Sequence, residues 1–164
     1  MDLIEAMQPA LEAAKECLKL NADVPVGCAI YRGNALIAKA FNTRQRDRST
    51  TGHAEITAIT EACRILGDWR LTDCSIFVTL EPCPMCAGAI AAARFEKLVF
   101  GAPRTDGATP CHMILPEDIK IYPGICCREA SELLKAFFAG RRLSQTEVRN
   151  VPGPAVFNKI ERKG

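Results

Sequence analysis

The chain predicts an α/β fold, a three-layer α/β/α sandwich around a mixed five-stranded sheet. Three features predict it. Stretches with apolar residues at every third or fourth position alternate with short apolar runs rich in β-branched residues. Two of those runs flank the turn Arg32-Gly33-Asn34 and form a hairpin. The later runs are separated by helical stretches, giving the order αββαβαβ(β)α. At 164 residues, without repeats or low-complexity segments, one domain with a proper core is expected. That domain spans 1–142, and 143–164 reads as an irregular, basic C-terminal extension.

In chain order, residues 3–20 set Ile4, Met7, Leu11, Ala14 and Leu18 on one helical face, and Asp23-Val24-Pro25 breaks the helix. Val26 to Tyr31 reads as a buried strand and Ala35 to Phe41 as its hairpin partner. A polar loop from Asn42 to Gly52 leads into a helix from His53 to Leu66. Its face carries Ile56, Ile59, Ala62, Cys63 and Leu66, and Gly67 stops it. Cys74 to Leu80 is a core strand ended by Glu81-Pro82. Pro84 to Ala93 is an Ala-rich helix that accepts proline in its first turn. Lys97 to Gly101 and Ile119 to Tyr122 are strands, and Ala130 to Phe138, flanked by Cys126-Cys127, is a final helix ending at Gly140.

Nine cysteines, an odd and scattered set within apolar patterns, suit reduced buried thiols better than a disulfide framework. The acidic, amphipathic N-terminus is not a signal peptide, and no apolar run approaches the roughly 18 residues of a membrane span. A cytoplasmic protein with no membrane partner is expected. The net charge is +2, but from Arg141 onward six Lys/Arg stand against two Glu. Arg44, Arg46 and Arg48 form a second basic cluster, diluted by Asp47. Such patches meet nucleic-acid phosphates, although most short basic clusters are only solvated surface.

The chemistry concentrates in His53-Ala54-Glu55 and Pro82-Cys83-Pro84-Met85-Cys86. His53, Cys83 and Cys86 supply the three nitrogen and sulfur ligands of a catalytic zinc, one ion per chain, which keeps a fourth position for water. Glu55 is then free to act as general base and acid beside it. A structural zinc would need a fourth ligand, and Cys126-Cys127, adjacent and in an apolar helical pattern, are poor candidates. A thioredoxin-like pair would leave His53 and Glu55 without a role. Both motifs fall at strand-to-helix junctions, so helix N-termini and their free N–H groups face the site. A backbone N–H near Cys83 is a donor to the exocyclic group of a substrate.

This H-x-E…P-C-x-x-C arrangement is that of the zinc nucleobase deaminases. The likeness extends to Val24-Pro25-Val26-Gly27, Phe41-Asn42, Gly52-His53-Ala54-Glu55, Trp69-Arg70-Leu71, Val78–Ile90, Val99-Phe100-Gly101-Ala102 and Leu133–Phe138. Over about residues 5–142 the chain resembles the bacterial tRNA-specific adenosine deaminases, of cytidine deaminase-like fold. The resemblance implies a homodimer that deaminates the wobble adenosine of a tRNA anticodon loop to inosine on a flipped base. It also implies that Asn42 contacts the base and that Val26, Ala54 and Pro82 line the pocket. Two departures stand out. Thr50-Thr51-Gly52 replaces the family's Pro-Thr-Ala, and residues 103–118 lack the helix and Asn-His pair that border the family's substrate cleft. His112 falls in that segment, either as a substrate contact or as an exposed loop residue.

Two other functions compete. The Pro-Cys-Pro-Met-Cys form also resembles guanine deaminases, and a shortened rim suits a free purine or pyrimidine base, nucleoside or analogue. A non-catalytic, deaminase-like partner subunit would keep zinc for structure, but would not need Glu55.

Overall fold

In this computed structural model the backbone of residues 1–148 and the side chains of 1–141 are described; the remainder of the predicted extension lies outside them. Among the described residues, five strands form one sheet in the order β2-β1-β3-β4-β5. They are β1 (Gly27–Arg32), β2 (Ala35–Phe41), β3 (Cys74–Leu80), β4 (Lys97–Ala102) and β5 (Lys120–Tyr122). β1 pairs antiparallel with β2 and β3, whereas β3, β4 and β5 run parallel, so the sheet is mixed as expected.

Alternation along the strands makes the layers. Cys28, Ile30, Ile76, Val78, Leu98 and Phe100 point to one face, where they meet Ala54, Ala58 and Ala62 of α3 (Ala54–Leu66) and Ala87 and Ile90 of α4 (Pro84–Ala93). Ala29, Tyr31, Phe77 and Val99 point to the other. There they meet Met7, Ala10 and Leu11 of α1 (Leu3–Lys19) and Ala130 and Leu133 of α5 (Cys127–Val148). Tyr31 and Phe77 pack edge to face at 5.4 Å, a geometry that adds to their burial.

Several details differ from the sequence reading. A one-turn helix, α2 (Arg44–Asp47), interrupts the polar loop after Asn42. The apolar face of α3 is rotated: Ala58 and Ala62 are buried, while Ile56, Ile59 and Cys63 are only half-buried. Small side chains let this helix lie close to the sheet, which bulkier isoleucines would hold away. The last helix does not end at Gly140 but continues to Val148, so its end falls inside the segment expected to be irregular. One glycine inside a helix costs only about 1 kcal/mol, and the flanking Ala139 and Arg141 are strong helix formers.

At one position close packing demands glycine. A Cβ on Gly27 would lie 1.9 Å from the Ala10 carbonyl oxygen, so α1 rests directly on the start of β1. The Gly27 N–H is taken by Thr79 Oγ1 on the neighbouring strand at 3.0 Å.

Candidate metal centre and substrate cleft

His53 and Cys83 occupy equivalent places, each the N-cap of the helix that follows, and neither side chain provides the capping hydrogen bond. Both turn toward one point instead. His53 Nδ1 lies 3.6 Å from Cys83 Sγ and 3.5 Å from Cys86 Sγ, and the three donor atoms fall within 4.8 Å of one another. Tetrahedral zinc with bonds of roughly 2.0–2.1 Å to nitrogen and 2.3 Å to sulfur sets such donors about 3.5 Å apart. The donor set and its spacing therefore fit zinc.

The cap that His53 does not provide comes from across the loop. Asn42 Oδ1 accepts the Ala54 N–H at 2.9 Å, which ties the end of β2 to the start of α3. Asp23 fixes the next segment in the same way. Its buried carboxyl accepts the N–H groups of Val24 and Gln45, each at 2.7 Å. Gly52 permits this arrangement, because a Cβ there would stand 2.9 Å from the Arg44 backbone nitrogen.

Electrostatics follow from burial and mutual contact. The Cys86 thiol beside Cys83, with His53, holds the Cys83 thiol down to about 3, while the same contact and burial push Cys86 up. A divalent cation removes both protons and converts the pair into two thiolate ligands. Bonding to Cys83 raises His53. Glu55, at 3 % exposure, is raised by desolvation, which suits a carboxyl that must both take and return protons. Cys28, fully buried behind the sheet surface, is pushed up by burial and by the Glu55 carboxyl.

Beside this centre lies a cleft of about 320 Å³. His53, Glu55, Asn42 and Val26 line it, so four of the residues singled out in the sequence meet in one cavity. Cys83 and Cys86 are buried and not among the lining. Ala54 and Pro82, expected in the wall, are also buried and outside the lining; Ala54 packs into the core against the sheet. His112 is exposed in a 3₁₀ turn, Cys111–Met113, and does not reach the cleft. Sequence reasoning missed Asp23, Glu81, Thr105 and Leu134 as wall residues. They come from four chain segments brought together by the fold; Glu81 and Leu134 fall in stretches shared with the resembling family, but nothing in those stretches marks them as wall. Arg44 and Phe138 also line the cleft, and Phe138 is half exposed.

All nine cysteines lie among the described residues and none is in a disulfide. No described helix is long and apolar enough to cross a membrane.

Comparison with known proteins agrees with this geometry. Residues 2–102 match the family described as cytidine and deoxycytidylate deaminase zinc-binding region. The tRNA-specific adenosine deaminase of Bacillus subtilis is 37% identical over 147 residues, covering 84% of this chain and 91% of that one. That of Rickettsia bellii is 38% identical over 144 residues, covering 80% and 97%. A solved tRNA:A34 deaminase superposes with a TM-score of 0.73 at 33% identity, covering 79% and 99%. The guanine deaminase of Bacillus subtilis superposes with a TM-score of 0.63 at 30% identity, covering 87% and 95%. With its His, Cys and Cys at zinc spacing inside the matched region, the chain belongs to the cytidine and deoxycytidylate deaminase zinc-binding family, in the group of the bacterial tRNA-specific adenosine deaminases, and is a zinc-dependent deaminase.

Proposed function

We propose that the enzyme converts adenosine to inosine at the wobble position of a tRNA anticodon loop, with release of ammonia. The observation that carries this reading is the buried Glu55 carboxyl beside the His53, Cys83 and Cys86 donors at one cleft. The names of the relatives at 37% and 38% identity point to a tRNA adenosine, and the solved tRNA:A34 deaminase at 33% identity to the wobble position. His53, Cys83 and Cys86 hold the metal. Zinc bound there makes water a nucleophile near neutral pH.

Glu55 would accept a proton from the attacking water as the water oxygen bonds to the base carbon carrying the amine. The carboxyl delivers the proton to the adjacent ring nitrogen. It then moves the second proton of the water onto the departing amine, so the carbon–nitrogen bond breaks and ammonia leaves. One water is consumed, and Glu55 ends as it began. Burial of Glu55 shields this path from bulk water. Asn42 spends its carbonyl oxygen on the Ala54 N–H, so its amide hydrogens are what it offers the base. Val26, Leu80 and Leu134 supply apolar wall, while a flipped base enters past the half-exposed Phe138. Arg44 at the cleft and Arg141, stacked 4.6 Å over the Phe137 ring, are cations for the loop phosphates. The reading includes a homodimer in the cytoplasm, where free thiols stay reduced.

One observation favours a free base instead. The rim after β4 carries only a 3₁₀ turn, and Arg104 there is paired with Asp106, which leaves little for a phosphate. Zinc-loaded protein assayed for ammonia release on an anticodon stem-loop and on a panel of free bases and nucleosides separates the two. For tRNA, apparent affinity falls with salt at a slope of about −0.7 per phosphate contact. A flat salt response with rapid release from a free base would overturn the tRNA assignment and leave the zinc chemistry in place.

A further inference from the structure

Glu81, which takes no part in the reaction above, stands between the metal turn and the cleft rim. It follows β3 and precedes Pro82-Cys83. Its own N–H donates to the Ala102 carbonyl at 2.8 Å, at the end of β4. Its carboxyl oxygens accept from two further backbone groups, Oε2 from the Arg104 N–H at 3.2 Å and Oε1 from the Cys111 N–H at 3.1 Å. Those two residues lie within residues 103–118, the segment where the chain departs from the resembling family. Residues 103–110 have no strand or helix to satisfy their backbone, and most are exposed. Asp106 shapes the interior of this loop, accepting the Ala108 N–H at 3.3 Å and pairing with the Arg104 guanidinium. Cys111, at 1 % exposure, anchors its far end in the core. Pro103, Arg104, Thr105 and Asp106 line the cleft together with Glu81 itself.

We propose that Glu81 is a positioning residue for the substrate: by closing both ends of the 104–111 loop it sets the outer wall of the nucleobase cleft and registers that wall against the turn carrying Cys83. The inference rests on reading the cleft as the site of the base. Residues 103–110 form no strand or helix, and one carboxyl holds both ends of the loop. Its geometry needs two acceptor oxygens. Glutamine has the same shape but turns an NH₂ toward one of the two N–H groups, leaving that amide unpaired.

The test compares zinc-loaded wild type with Glu81→Gln and Glu81→Ala, using the stem-loop or free base that the wild type turns over fastest. Expected for Glu81→Gln are full zinc content, kcat within about twofold, and KM raised about fivefold, the loss of one hydrogen bond. Glu81→Ala, with both acceptors gone, raises KM further. Backbone amide exchange in peptides spanning 103–111 speeds up in both variants, while that of 54–66 is unchanged. An unchanged KM alongside faster exchange would overturn the proposal. So would loss of zinc with kcat falling at constant KM, which would make Glu81 a prop for the metal turn alone. If the fastest substrate proves to be a free base, the tRNA assignment fails, and the Glu81 comparison is decided on that base by the same KM.

Discussion

Glu55 and Asn42 are three-hundredths and eight-hundredths exposed, and each holds its place through a different constraint. Glu55 sits in the first turn of α3, where the helix orients its carboxyl and burial raises its proton affinity. Glu55→Ala keeps zinc and fold but loses at least 10²-fold in kcat, the scale of a general acid/base. Single-turnover rates with zinc quantified on the same sample check this. Cys83→Ala loses both zinc and activity, since two remaining protein ligands no longer make the catalytic set. Asn42 has two jobs that substitution can separate. Asn42→Ala removes the acceptor of the Ala54 N–H and lowers stability by about 1 kcal/mol. Asn42→Asp keeps that acceptor but has no amide hydrogens, so melting is nearly preserved while KM rises. Paired melting and kinetic curves distinguish them.

At the scale of elements, the two ligand-bearing helices are set by what lies beneath them. α3 faces the sheet with Ala54, Ala58 and Ala62, and the isoleucines that its sequence pattern put on that face are half-buried at its flanks. Periodicity reports where apolar residues recur, but not how near a helix must come. Ala58→Leu overpacks this contact and destabilises by roughly 1–3 kcal/mol, measured by denaturant unfolding. α1 meets the sheet more closely still, at Gly27. The one-turn α2 carries no apolar period for a pattern to detect; Thr43 and Gly52 backbones join at 2.8 Å and Asp23 binds Gln45 to hold it. On α5, Arg141→Glu weakens stem-loop affinity and flattens its salt slope by about one phosphate contact, without changing turnover of a free nucleoside.

For the whole molecule, zinc held by His53, Cys83 and Cys86 would staple two βα units together. His53 belongs to the unit after the hairpin, while Cys83 and Cys86 belong to the β3–α4 junction. A zinc ion that binds only the folded arrangement stabilises it by mass action. Stripping zinc with a chelator is therefore expected to lower Tm by several degrees and to open Cys83, whose thiol is held low, to alkylation. Cys28 and Cys111 remain slow to react, because both are buried and burial leads in holding Cys28 far up and Cys111 up to about 12. Mass mapping of the alkylated peptides reads this directly.

The sequence by itself determined the sheet-and-helix alternation, the hairpin, and the candidate donor set for a metal, because each is written in local order. Strands show as apolar runs, a turn shows in Arg32-Gly33-Asn34, and His53-Ala54-Glu55 with Cys83 and Cys86 has the spacing that zinc chemistry needs. Only the tertiary structure decided who shares the cleft. Asp23, Glu81, Thr105 and Leu134 lie far apart along the chain and meet because antiparallel β1 and parallel β4 deliver their ends to the same edge as the N-termini of α3 and α4. It also decided that Asn42 caps α3, that Ala54 and Pro82 are buried, and that the Glu81 carboxyl accepts the Arg104 and Cys111 N–H groups. Local pattern encodes backbone conformation and burial. Contacts between side chains distant in sequence depend on how whole elements pack, and no short stretch carries that information.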